Sequence, residues 1–246
     1  MTRDAMRAEA LRLFQAGLAA ADPAAVVDAE LSRAPLAPGL RWHVIAIGKA
    51  ARRMAEAALA RVDAASALVV TNYENAAPLP GAEVLAAGHP VPDENGARAG
   101  QRVLARLAEL GPGDAVLALI SGGGSALLPA PAEGMTLADK AEVNRLLLAS
   151  GAEIGQMNLI RQQLSRLKGG GFLAAAAPAP VRALILSDVV GDDLRAIASG
   201  PTVAPLGTRA EASAILRDLG LWERLPQIRG GTSVPAPYVA GSAHRR

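Results

Sequence analysis

Ala115-Val116-Leu117-Ala118-Leu119-Ile120-Ser121-Gly122-Gly123-Gly124-Ser125 is an unbroken apolar run that delivers three glycines set between two serines. An apolar run without polar alternation reads as a strand buried on both faces, as in a parallel sheet. The glycines let the backbone turn through positive φ, so successive N–H groups can converge on one point with no Cβ in a ligand's way. Such a loop can hold an anion. A glycine triplet after a strand also serves as a plain tight turn, and geometry alone leaves both readings open.

Working outward from this stretch, strand and helix patterns alternate. Residues 4–21 carry Met6, Leu11, Phe14 and Leu18 at helical spacing, and Asp22-Pro23 restarts a helix with an N-cap and a proline at its first position. Strands are predicted at 43–47, ending in Gly48-Lys49, and at 67–70, with a helix over 50–60 between them. A weaker strand at 84–87 leads through Gly88-His89-Pro90-Val91-Pro92 to Asp93, the expected N-cap of a helix over 94–110 that stops at Gly111-Pro112-Gly113. Beyond the glycine loop, Thr136 caps a helix with Leu137, Val143, Leu146 and Leu147 on its apolar face. A second helix is predicted over 153–167, stopped by Lys168-Gly169-Gly170-Gly171. A last strand at 181–186 delivers Ser187-Asp188-Val189-Val190-Gly191-Asp192-Asp193, and Thr208 caps one more helix to about residue 219.

Strands joined by helical crossovers imply an α/β fold, a three-layer Rossmann-like domain with a mostly parallel sheet. Its expected extent is 1–225; residues 226–246, where the periodicity fades, read as the truncated start of a linker or second domain. In open sheets of this kind ligands bind outside the carboxyl ends of the strands. Gly48-Lys49, Thr71-Asn72, Ser121 to Ser125 and Ser187 to Asp193 all fall there. One loop brings a lysine, one an anion nest and one three acids, which are the parts that phosphoryl transfer uses.

The familiar nucleotide signatures are missing. There is no G-x-x-x-x-G-K-[ST], Gly122 to Leu127 lacks the third glycine of a dinucleotide fingerprint, and Gly123 to Leu127 ends in leucine where G-x-S-x-G needs glycine. The residues by themselves therefore specify an anion-binding α/β enzyme. Asn158 and Arg161 lie three apart on one predicted helix and share a face, and Ser165 and Lys168 extend that polar stripe toward the cleft. A solvated helix face accounts for the same spacing.

Composition narrows the function further. The net charge of +2 is small and aromatic residues make up only 2%, so stacking platforms and a basic footprint for nucleic acid are both missing. No apolar run reaches the roughly 18 to 20 residues that span a bilayer, and the first residues include Arg3, Asp4, Arg7 and Glu9 rather than a signal-peptide core. A cytoplasmic protein without membrane contact is expected. Cysteine is absent, which excludes disulfides and thiolate metal sites. Three lysines stand against 22 arginines, so lysine is the rarer choice wherever either cation would serve. Lys49 and Lys168 adjoin glycines, whereas Lys140 sits in a helical pattern beside Asp139 and Glu142.

Four ordered motifs carry a resemblance. Gly88 to Asp93, Leu119 to Leu128, Leu164 to Gly170, and Leu186 to Asp193 followed by Ile197-Ala198-Ser199-Gly200-Pro201-Thr202 are similar to the bacterial glycerate 2-kinases of the MOFRL or DUF4147 type, often mislabelled hydroxypyruvate reductase. The likeness covers nearly the whole chain. It implies ATP- and magnesium-dependent phosphorylation of D-glycerate at its 2-hydroxyl, in a cleft between two α/β domains. Carried over by position, Lys49 resembles the active-site lysine and Asp188 the active-site aspartate, with base or magnesium-ligand duty for Asp188 and Asp192 as the second candidate for either. Asp193 is expected to cap a helix. Ser121, Gly122, Gly123, Gly124 and Ser125 would hold the substrate carboxylate or a phosphate, with Asn158, Arg161 and Lys168 alongside.

The chain also departs from that pattern. The family usually has glutamate at the position of Gln156 and a histidine or basic residue near Gln162 and Gln163. Relatives carry a second domain with further cleft residues, so residues 1–246 alone are expected to bind substrate weakly and turn over little. Two alternatives stay open: a hydroxypyruvate-reducing oxidoreductase, which lacks a dinucleotide fingerprint here, and a non-catalytic ligand-binding remnant. A homodimer also stays open.

Overall fold

Residues 2–225 are described by a computed structural model, and within them five strands form one parallel sheet. These are β1 (Arg41–Ile47), β2 (Ser66–Asn72), β3 (Glu83–Ala87), β4 (Asp114–Ile120) and β5 (Val181–Ile185), in the order β3-β2-β1-β4-β5. Every pairing is parallel, and Ile47 lies level with both Val70 and Ile120, so the strands end along one edge. The chain winds outward from β1 to β3 and then returns to place β4 on β1's other side. β1 and β4 thus flank the point where the winding reverses, where such sheets open a ligand crevice.

β4 is buried along its full length because both faces are covered. Val116, Ala118 and Ile120 enter one core, beneath α4 (Glu94–Ala108) and α8 (Gly171–Ala176). Ala115, Leu117 and Leu119 enter the other, beneath α2 (Pro23–Arg33) and α3 (Ala51–Leu59). This two-residue alternation between two apolar layers is why the sequence run shows no polar interruptions. A third cluster joins α6 (Leu137–Ala149), α7 (Ile154–Gln163) and α9 (Arg209–Asp218) through Val143, Leu147, Ile160, Leu216 and Leu225, beside the sheet. The short α5 (Gly124–Leu127) turns directly out of the glycine loop.

The expected caps form. Asp22 accepts from Ala24 N at 3.0 Å and Asp93 from Gly96 N at 2.8 Å. Thr136 and Thr208 each complete a reciprocal capping box, with Asp139 and Glu211 respectively. Thr136→Ala should cost about 1 kcal/mol of stability, read as a lower urea midpoint at unchanged slope.

One expectation fails. The helix predicted over 153–167 ends at Gln163, because Ser165 instead bridges Pro131 and the Leu164 carbonyl accepts from Ala132 N at 3.1 Å. Leu164 and Leu167 keep the apolar rhythm but point into cores from irregular backbone. Helix α1 (Arg3–Ala20) forms as expected but buries none of its residues, with Met6, Leu11, Phe14 and Leu18 all at least 50% exposed. No single helix among the described residues is long and apolar enough to cross a membrane. The linker or second domain expected at 226–246 lies outside the described residues.

Candidate active site

The loop after β1 and the loop after β4 are knitted together at the crevice. Lys49 N donates to the Gly122 carbonyl at 2.9 Å, Ala50 N to Ser121 Oγ at 3.1 Å, and Ser121 N to the Ile47 carbonyl at 2.9 Å. Ser121 is buried and its hydroxyl braces this junction rather than facing a ligand. The N–H groups of Gly122, Gly123, Gly124 and Ser125 donate to no protein acceptor among the described residues. Four successive open donors make the loop a nest for negative charge.

Three side chains close on that nest. A Cβ on Gly122 would overlap the Asp188 carboxylate, so the absence of a side chain is what lets the acid lie against the loop. Gly123 has φ +84°, and a Cβ there would stand 3.1 Å from Lys49 Cγ and 3.1 Å from His89 Nε2. Lys49 and Asp188 are exposed, on loops from β1 and β5. His89, on the loop after β3 and within the motif Gly88 to Asp93, joins them. The structure brings Lys49, Asp188 and the glycine loop together.

Asp192 is not drawn in. It sits at φ +53° with its N–H on the Val189 carbonyl, and its carboxylate takes no hydrogen bond among the described residues. Asp193 behaves as a turn-former: its carboxylate accepts from Arg195 N and pairs with the Arg195 guanidinium at 3.0 Å. No three His, Asp or Glu among the described residues converge on a metal-sized site.

Around the far end of the loop lies a second group. Lys168 Nζ donates to Ser125 Oγ at 2.7 Å, and Ser125 Oγ lies 2.9 Å from Ser199 Oγ. Lys168 is thus placed by the irregular segment after α7, not by a helical stripe, and Ser165 turns away to the Pro129 carbonyl. Arg161 does share a face with Asn158, bonding its Oδ1 at 3.4 Å, and also reaches Asn144 Oδ1 on α6. Lys140 Nζ donates to the carbonyls of Pro129 and Leu164 at 2.8 and 3.1 Å. None of these three cations forms an ion pair among the described residues.

Burial, reinforced by the charge of Arg161, lowers the Lys168 ammonium to about 8. Burial likewise holds Lys140 well below its ordinary value, with Lys168 and Arg161 adding to the effect. Between pH 8 and 10.5 the unfolded chain therefore binds more protons at Lys168 than the folded one, and stability rises with pH through that window. At roughly 1.4 kcal/mol per pKa unit, urea midpoints should report a gain on the order of 2 to 3 kcal/mol from this group. Lys168→Met should flatten much of that rise.

Residues 9–229 match the family described as "Domain of unknown function (DUF4147)". The chain belongs to this family. The DUF4147 chain is 46% identical over 242 residues to an Agrobacterium vitis protein provisionally named a hydroxypyruvate reductase, covering 94% of this chain and 53% of that one. It is 43% identical over 184 residues to a Thermotoga maritima protein named D-glycerate 2-kinase, covering 74% of this chain and 44% of that one. A crystal structure of a glycerate kinase from Thermotoga maritima superposes with a TM-score of 0.84 at 37% identity, covering 93% of this chain and 56% of that chain. The DUF4147 chain spans about half the length of the relatives it matches.

Proposed function

We propose that this site contributes to ATP-dependent transfer of a phosphoryl group to the 2-hydroxyl of D-glycerate, giving 2-phosphoglycerate and ADP. The observation that carries this reading is the open nest of four N–H groups flanked by Lys49 on one side and the Asp188 carboxylate on the other. Relatives and a solved neighbour named for glycerate kinase support the choice of acceptor.

In this reading the N–H groups of Gly122 to Ser125 hold phosphate or carboxylate oxygens and Lys49 compensates charge on the group in transfer. Asp188 takes the proton as the 2-hydroxyl oxygen bonds to the γ-phosphorus and the bond from that phosphorus to the β–γ bridging oxygen breaks. The donor set also suits magnesium, a hard cation that takes one or two carboxylates together with phosphate oxygens and water. Asp188 is the carboxylate at the loop for that duty, and Asp192 is a second on the same connection. Bound magnesium would neutralise phosphate oxygens. The need for a second domain is part of the proposal: the relatives' other half would supply the opposite wall.

The test is a coupled assay for 2-phosphoglycerate with D-glycerate and magnesium ATP. It is run on this chain alone and with the second half of the Thermotoga maritima relative supplied as a separate polypeptide. Product is expected only with both, and full turnover by the chain alone would remove the two-domain claim. Hydroxypyruvate-dependent oxidation of NADH or NADPH, without ATP consumption, would replace the kinase reading with the reductase suggested by the Agrobacterium vitis name.

A further inference from the structure

Ser199 comes to the site by an unusual backbone. Ala198, Ser199 and Gly200 have φ values of +49°, +62° and +63°, three successive left-handed residues of which two are not glycine. Such a conformation is strained for residues with a Cβ and persists only where surroundings hold it. Here they do. The Ser199 carbonyl accepts from Gly169 N at 3.0 Å and from Gln162 Nε2 at 3.1 Å, and Gly170 N donates to the Gly200 carbonyl at 2.9 Å. Gln162 is itself buried, donates also to the Arg195 carbonyl at 3.3 Å and accepts from Leu206 N at 2.8 Å, so one side chain of α7 holds Ser199 and the chain on either side of the strained segment. The result sets the Ser199 hydroxyl against Ser125.

The direction of each hydrogen bond follows from supply and demand. A lysine ammonium only donates, so Ser125 Oγ must accept from Lys168. Ser199 is buried, and Ser125 Oγ is its hydroxyl's one acceptor among the described residues, so Ser199 donates to Ser125 as well. The Ser125 oxygen then receives two donors, and its own proton has no acceptor within the described residues. Ser125 is half-buried in the first turn after the glycine loop, which leaves that proton for a bound ligand or solvent. The charged groups facing Lys168 are Arg161 from α7 and Lys140 from α6, with no carboxylate among them; Asp193 and Arg195 on the strained connection are paired with each other.

We propose that Lys168, Ser125 and Ser199 form a one-way hydrogen-bond relay that makes the Ser125 hydroxyl a polarised donor to an anionic oxygen, carboxylate or phosphate, with Ser199 as a positioning residue. This rests on the kinase reading only for which anion is natural. Two donors into one oxygen strengthen its outgoing bond. A neutral Lys168 amine would reverse the relay, accepting the Ser125 proton and withdrawing it from the ligand. Because that ammonium is held to about 8, anion affinity is expected to fall as pH rises through 8.

Calorimetry on the full chain with sulfate and, separately, with D-glycerate tests this between pH 6.5 and 9.5, where neither ion changes charge. Both affinities should fall about tenfold across that range, and Lys168→Met should be weak and flat with pH. Ser125→Ala, Ser199→Ala and Ser199→Gly should each weaken binding about five- to tenfold at pH 7. Ser199→Gly is the deciding variant, since glycine relieves the left-handed strain and should raise the melting temperature while still losing affinity. Unchanged affinity in a folded Ser199→Gly, a pH-flat wild type, or no binding of either anion would overturn the relay. Sulfate binding with the expected pattern but no phosphorylated product, even with the second half of the relative supplied, supports the relay and removes the kinase reading. Product formation that Ser199→Gly leaves untouched does the reverse.

Discussion

Lys49→Ala should lower 2-phosphoglycerate formation by roughly 10³ to 10⁵, about 4 to 7 kcal/mol of transition-state stabilisation, with the fold intact. The magnitude is that of removing one cation from a phosphoryl-transfer transition state. The site gives this lysine little structural work: its backbone N–H and carbonyl are used by Gly122, Thr71 and Asn75, and its side chain forms no ion pair among the described residues. Truncating the side chain therefore leaves the loop junction in place. An unchanged melting temperature with the rate lost is the expected pair of measurements. A variant that keeps most of its rate would remove Lys49 from the chemistry and leave it as the residue that merely follows a turn.

Gly122→Ala should be nearly as damaging, by a different route. Gly122 has ordinary negative φ, so alanine brings no backbone strain, but the added methyl would occupy the place of the Asp188 carboxylate. Asp188 is exposed and can rotate away, which predicts a folded protein whose acid no longer meets the nest. Loss of a positioned general base is worth about 10² to 10⁴ in rate, and Asp188→Ala should fall in that range. Gly122→Ala should come within tenfold of it, and the double variant should be no worse than either alone, as for two changes that remove one interaction. Additive losses would show that the glycine and the aspartate act separately.

Much of this arrangement is legible in the chain. The run 115–120 is apolar at every position but faces two cores, and that burial on both sides is what identifies a central parallel strand. Aspartate and threonine caps at 22, 93, 136 and 208 are local signals with local causes, and all four form. The loops after β1, β2, β4 and β5 share an edge because the sheet is parallel throughout. What escapes the sequence is set by long-range clamps. Nothing at Ala198 and Ser199 announces left-handed backbone, since glycine is the usual marker and the conformation depends on Gln162 and on the turn at 169–170. Gln162 reads as a departure from a basic position, whereas it is a buried amide with three backbone partners. Helix α8, with Ala174 to Ala176 at its end, offers too little polar alternation to be seen. The end of α7 is misread because Leu164 and Leu167 continue an apolar rhythm that the backbone has already left.

The two rims of the crevice answer to different foundations. Lys49 and Gly122 hang from the ends of β1 and β4, in the most deeply buried part of the sheet, whereas Ser199 is moored through Gln162 to a bundle of three helices beside it. A core substitution at Leu216 or Ile160 would reach the serine-and-lysine rim through α7 and Gln162, whereas one under β4 would disturb both rims, because Ile197 and Leu167 share that core. Drift acquired far from the opening can therefore retune how tightly an anion is gripped without touching the groups that act on it.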